Sequence, residues 1–150
     1  MEVAARRRGK IFFVLDVRDG WPPVAVETLW VSQVGGDTYE VENIPFFAKD
    51  VALGDLVAGR LREDRTLEFV GVVQRGGHST LRVICLEQEH VNRVAGKLHD
   101  VGCAIERSPF PRMFAIDVPS ATFVPAAHRI LKALRGRGVL EYEDAYLARD

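Results

Sequence analysis

From Lys10 to Gln74 apolar and polar side chains alternate, and turn residues interrupt the alternation at short intervals. KIFFVLDV, VAVETLWVSQV, TYEVENIPFFA, DLVAGRLRE and TLEFVGVVQ read as strands, because a period of two lays one apolar face along each segment. Between them stand Asp19-Gly20 with Pro22-Pro23, Gly35-Gly36-Asp37, Leu53-Gly54-Asp55 and Glu63-Asp64. Glycine–aspartate turns between alternating strands favour hairpins. This half is therefore expected to curl into a small β-barrel or strongly bent β-sheet.

The period changes after Gly76-Gly77. STLRVICL reads as a buried strand, and EQEHVNRVAGKLHDVG puts Val91, Val94, Ala95 and Leu98 on one helical face. Glu87 and Glu89 at its start and Arg93 and Lys97 further on complement the helix dipole, and Gly102 suits its end. CAIERSP is a short strand that Pro109 and Pro111 forbid from continuing, and RMFAIDV is the next strand. SATFVPAAHRILKALRGRG predicts a second helix, with Ser120 or Thr122 as cap and Pro125 in the first turn. Its inner face would carry Phe123, Ala127, Ile130, Leu131 and Leu134. VLEYEDAYLA supplies a last strand. The order βαββαβ is the ferredoxin-like unit. The predicted class is α+β: a β-rich, barrel-like module over 10–76, then a ferredoxin-like module over 77–150. No low-complexity linker separates them, so they are expected to form one compact unit.

Composition narrows the function classes. With 150 residues, 47% hydrophobic and 27% charged, the chain has the balance of a soluble globular protein that folds without metal or disulfide. A formal net charge of −1 gives no global attraction to nucleic acid or anionic membranes. Basic residues near the N-terminus are not followed by the apolar core of a secretion signal, and no apolar run has membrane-spanning length, so a cytoplasmic location is expected. Cys85 and Cys103 lie in apolar surroundings without a CxxC spacing, as small hydrophobes do. His78, His90, His99 and His128 are scattered, without the spacing of a metal site. No metal or other cofactor is expected.

Several stretches in order resemble a bacterial family, the domain of unknown function 4265. They are Leu29-Trp30, YEVENIPFFAKDVALGDLV, GHSTLRV, LHDVGCAIE and the closing EYEDA, together spanning roughly residues 10–146. The resemblance implies no reaction and no cofactor, so the residues themselves must carry any functional reading.

The densest reactive cluster is GGHSTLRV. Ser79 with His78 suggests a nucleophile and its base, with Asp55 and Asn43 as further polar groups of a small hydrolase or transferase. Neighbours on an extended strand point to opposite faces, however, so His78 is badly placed to activate Ser79. A second reading is anion binding by Thr80, Arg82 and the amides of Gly76 and Gly77, since successive amides in a glycine turn can form a nest. Thr80 and Arg82 share a strand face, while Ser79 lies opposite with Leu81. Asn43, beside Pro45 and Phe46-Phe47, is either a local backbone partner at a strand bend or the polar contact of an aromatic pocket. Glu141, Glu143 and Asp144 read as a solvated edge face that discourages strand pairing.

A third reading comes from Arg6, Arg7 and Arg8 together with Arg129, Lys132, Arg135 and Arg137, a basic pattern seen in nucleic-acid binders. No aromatic residues are interleaved for base stacking, and cations late in a helix also serve its dipole. The leading expectation is a non-enzymatic binding or accessory protein, acting through a protein partner or small anionic ligand at the junction of its modules. An immunity-type partner is one analogy for so small a chain. The hydrolase or transferase is second and nucleic-acid binding third. Oligomeric state is not encoded in any pattern here.

Overall fold

The computed structural model describes residues 6–149, the basic Arg6–Arg8 among them; Met1–Ala5 and Asp150 lie outside the described residues. β1 (Arg8–Val14), β2 (Val26–Gly35), β3 (Thr38–Val41), β4 (Leu56–Leu61) and β5 (Leu67–Gln74) close into a barrel. Successive strands pair antiparallel, and β5 returns alongside β1 in parallel. The alternation read from the chain becomes the inside and outside of the wall. Ile11, Phe13, Leu29, Val31, Val41 and Val57 fill the interior.

One strand is shorter than its residues suggest. TYEVENIPFFA was expected to be strand throughout, but β3 ends at Val41 and residues 42–55 run as an irregular loop. Pro45 has no N–H for a ladder, and the amides of Phe46, Phe47 and Ala48 are all bound by one side chain, Glu27. Leu53-Gly54-Asp55 is accordingly the end of that loop and not a hairpin turn.

The second half forms a four-stranded sheet from β6 (Ser79–Cys85), β7 (Ala104–Arg107), β8 (Met113–Val118) and β9 (Leu140–Tyr146), in the order β7-β8-β6-β9. Both helices, α1 (Val91–Asp100) and α2 (Val124–Gly136), lie on one face, the ferredoxin-like arrangement. Leu81, Val83, Cys85, Phe114 and Ile116 point from the sheet into the layer that Val94, Leu98, Leu131 and Leu134 fill from the helices. Of the two expected caps it is Ser120 that acts, its Oγ accepting from Thr122 N at 3.3 Å. Phe123, placed by period on the inner face of α2, instead precedes the helix, half exposed. The chain makes a 3-10 turn over Ala121–Phe123 first, which rotates that residue off the α-helical stripe.

The opposite face of the sheet is covered as well. Loop 42–55, which departs from the barrel, lies across it: Thr80 Oγ1 donates to Val51 O at 3.1 Å, Arg82 Nη2 donates to Ala48 O, and Asp50 N donates to Ala145 O at 3.3 Å. Every residue of β8 is buried as a result. A strand covered on both faces reads as a near-continuous apolar run, which is how MFAIDV is written.

Candidate functional site

Where loop 42–55 leaves the sheet uncovered, a cleft opens between barrel and sheet. Its larger chamber, about 550 Å³, is walled by Phe13, Phe69, Trp21 and Phe47, with Arg82 and Glu143 from the sheet. That size falls within the range of small-molecule pockets. A smaller chamber of about 190 Å³ continues past Arg82 and Glu143 toward Ile84, Met113 and Tyr142, and Trp21 borders both.

Local sequence places each wall. Asp19 and Gly20 both take positive φ, 54° and 77°, so the chain reverses in two residues, and Arg18 and Trp21 exchange backbone hydrogen bonds at 2.9 and 3.0 Å. That turn holds Trp21 over the cleft. Its ring meets Phe47 edge-on at 5.8 Å, and Phe47 meets Phe110 in the same way at 5.9 Å. Phe13 and Phe69 stack at 4.4 Å across β1 and β5.

Arg82 is the polar centre. Its side chain is only 5% exposed. Nη1 donates to Glu143 Oε1 at 2.7 Å and Nη2 to Ala48 O, while Nε has no partner among the described residues. Leaving a buried charged donor unpaired is costly, about 1–3 kcal/mol even for a neutral group. Nε is therefore a group that a ligand anion would stabilise.

Three carboxylates, Glu27 and Asp55 buried and Glu106 half-buried, build the frame around it. Glu27 accepts from Phe46 N, Phe47 N and Ala48 N at 2.6, 3.1 and 2.8 Å. Asp55 accepts from Ala52 N and Gly76 N, and from Arg75 Nη1 at 3.0 Å. Glu106 accepts from Ile44 N at 3.0 Å and from Asn43 Nδ2 at 3.5 Å. These groups fix loop 42–55 and hence the position of Phe47 and Lys49.

The residues singled out from sequence divide between this frame and the cleft. Thr80 and Arg82 do share a face, toward loop 42–55, and only Arg82 of the expected anion-binding set reaches the cleft. Gly76 gives its amide to Asp55, and a side chain there would meet Gly54 O at 2.5 Å, so the residue serves a close backbone approach. Gly77 turns the chain at φ 93°. Asn43 bonds backbone, but not locally: its Oδ1 accepts from Trp30 N on β2 at 2.7 Å, and its Nδ2 donates to Glu106. Ser79 is fully buried and its Oγ accepts from Ala148 N at 2.8 Å. His78 turns elsewhere, with Nδ1 at 2.8 and 2.9 Å from the two oxygens of Asp117. Burial pushes the Asp117 carboxyl above its ordinary value, and the hydrogen bond and charge of His78 pull it down.

The acidic run near the C-terminus is not simply a solvated edge. Glu143 holds Arg82, and Asp144 Oδ1 lies 2.8 Å from His128 Nε2 on the helix side. Cys85 and Cys103 are both free and buried, and burial, with Asp117 adding to it, pushes the Cys103 thiol up to about 11. Arg135 of the basic helix stacks on Tyr142 at 4.7 Å. Among the described residues no group of three His, Cys, Asp or Glu side chains is arranged to hold a metal, and no helix is long and apolar enough to cross a membrane.

Sequence reasoning passed over Glu27, Asp117 and Trp21, and read Glu143 only as part of a solvated edge. Glu27 had a signal: it occupies the inward parity of β2 with Leu29 and Val31, where a carboxylate needs a buried partner. Asp117 interrupts an apolar strand in the same way. Trp21 had none, since its place depends on how the β1–β2 turn sits over another module.

Residues 27–142 match the family described as Domain of unknown function (DUF4265). No curated protein matches the chain. Among solved structures, a hypothetical protein from Neisseria gonorrhoeae is similar over 99% of this chain and 100% of that one, with a TM-score of 0.74 and 18% identity. At that identity the likeness concerns the fold.

Proposed function

The chain belongs to the DUF4265 family, which is defined without an activity, and on its own geometry we propose that it is a non-enzymatic binding protein that takes a small anionic ligand in the cleft between its modules. The observation that carries this reading is the buried guanidinium of Arg82, bordering both chambers with its Nε unpartnered. A guanidinium bound to a carboxylate or phosphate forms short, charge-assisted hydrogen bonds, stronger than neutral ones. Aromatic walls beside such a group are the usual composition of a small-molecule site.

The hydrolase or transferase reading has less support. Ser79 Oγ accepts from the Ala148 amide and lies on the opposite strand face from Thr80, so no base stands ready to take its proton. The His78–Asp117 pair offers a basic group without a nucleophile in hydrogen-bond reach.

Ligand-observed NMR with a panel of small organic carboxylates, phosphates and sulfonates tests the proposal. At least one anion should bind with one-to-one stoichiometry, and Arg82→Gln should weaken it by about tenfold or more, the loss of one charge-assisted contact. Trp21→Ala, at a residue 48% exposed, provides a second variant whose folding is not at risk and should also weaken binding. Binding that ignores both variants, or no binding by any anion of the panel, would overturn the reading. In the latter case a protein partner at the same junction, as an immunity-type role would require, becomes the idea to test.

A further inference from the structure

We infer that the ligand of this cleft is an aromatic monocarboxylate, its carboxylate on Arg82 and its ring against the faces that Trp21 and Phe47 turn to the chamber. This inference rests on the cleft being the functional site, and it follows from three features of the lining.

The first is charge. Arg18, Lys49 and Arg82 face Asp16 and Glu143 around the larger chamber. Arg18 is paired with Asp16 at 2.9 Å and Arg82 with Glu143 at 2.7 Å, which leaves a formal surplus of one positive charge. A monoanion neutralises that surplus. A phosphate dianion would overshoot it and place its second charge near Glu143, whose repulsion grows as the cleft excludes water.

The second is the supply of donors. A phosphate presents several acceptor oxygens and is usually met by successive backbone amides. The nearest such row, Phe46 to Ala48, is already bound by the Glu27 carboxylate. What remains on the cleft lining is one guanidinium, that of Arg82, whose Nε–H is buried without a partner, a donor set matched to a single carboxylate.

The third is shape. Trp21 stands half exposed on a two-residue turn, with Phe47 edge-on to it and the stacked Phe13–Phe69 pair across the chamber. Flat rings prefer offset-stacked or edge-on neighbours, an arrangement that an aromatic guest satisfies better than an alkyl chain. The same chemistry occurs in two sources, a free arylalkanoate and the C-terminal residue of a peptide ending in phenylalanine.

Isothermal titration calorimetry with the full chain separates these features, using 3-phenylpropionate, 3-phenylpropionamide, hexanoate, phenyl phosphate and the peptide Gly-Gly-Phe at pH 8. We expect 3-phenylpropionate to bind at least tenfold more tightly than its amide, than hexanoate and than phenyl phosphate. Its binding should change the fluorescence of Trp21, and Trp21→Ala should abolish that change while weakening affinity about tenfold. Gly-Gly-Phe binding more tightly than the free acid would support the chemistry and assign it to a chain terminus. Hexanoate binding as well as 3-phenylpropionate would overturn the aromatic part. Tighter binding of phenyl phosphate, lost in Arg82→Gln, would overturn the monocarboxylate while leaving the anion cleft intact. No binding by either 3-phenylpropionate or Gly-Gly-Phe would sink the inference, whereas the wider anion panel decides separately whether the cleft binds anions at all.

Discussion

Glu27 shows how one side chain decides the course of a long segment. Its carboxylate is buried on the inward face of β2, where water cannot solvate it, and it is satisfied by three consecutive backbone amides of loop 42–55. The arrangement cuts both ways, because removing the carboxylate strands three amides at once. Glu27→Gln keeps the shape but replaces one acceptor oxygen with an NH2 group aimed at N–H donors. We expect it to destabilise the fold by about 2–4 kcal/mol, read as a lower urea midpoint at unchanged m-value. A loss below about 1 kcal/mol would mean that the loop holds its course without the carboxylate. This residue was visible in the sequence as a charge at apolar parity. Its partners were not, because they are backbone groups on a distant loop that carry no side-chain signature.

At the level of elements, the period-two and helical patterns located the strands and both helices to within a few residues, since each pattern is a local consequence of burying one face. The pattern fails at residues 42–48, where apolar side chains continue beyond the end of β3. Those side chains divide between neighbours, Ala48 joining the barrel core and Phe47 meeting Trp21 and Phe110, and an apolar residue does not say which neighbour will cover it. The joint between β5 and β6 is where two loops meet backbone to backbone. Gly76→Ala would place a methyl 2.5 Å from Gly54 O, so either the loop or the joint must move. A cost of about 1–3 kcal/mol is expected, as for other forced insertions into a packed site. Gly71→Ala in β5 is the control: nothing lies within 4 Å of that site, and thermal denaturation should leave it near the parent.

For the whole molecule, the consequence is that neither module is complete alone. The sheet face bearing Thr80, Arg82, Asp117 and Ala115 is buried by loop 42–55, and that loop is tied back by Asp55 to Gly76 and Arg75 at the joint. The barrel and the sheet should therefore unfold together. The chain provides its own probes for this, because both tryptophans, Trp21 and Trp30, lie in the barrel half, whereas both helices lie in the other. Tryptophan fluorescence and circular dichroism at 222 nm should report the same urea midpoint, the signature of a two-state transition. Separate midpoints would show that the contacts across loop 42–55 are too weak to couple the modules.

The amino-acid order was sufficient for what depends on neighbours along the chain: strand parity, the helical stripes, the Asp19-Gly20 turn, the shared face of Thr80 and Arg82, and the opposition of His78 to Ser79. Each follows from the fixed periods of strand and helix. It was not sufficient for the cleft, whose walls come from β1, the turn before Trp21, loop 42–55, β6 and β9, segments as far apart as Phe13 and Glu143. Whether Arg82 is a surface cation or a buried guanidinium with a free Nε depends on which loop covers it. That is a property of three-dimensional packing, and no local pattern in the sequence encodes it.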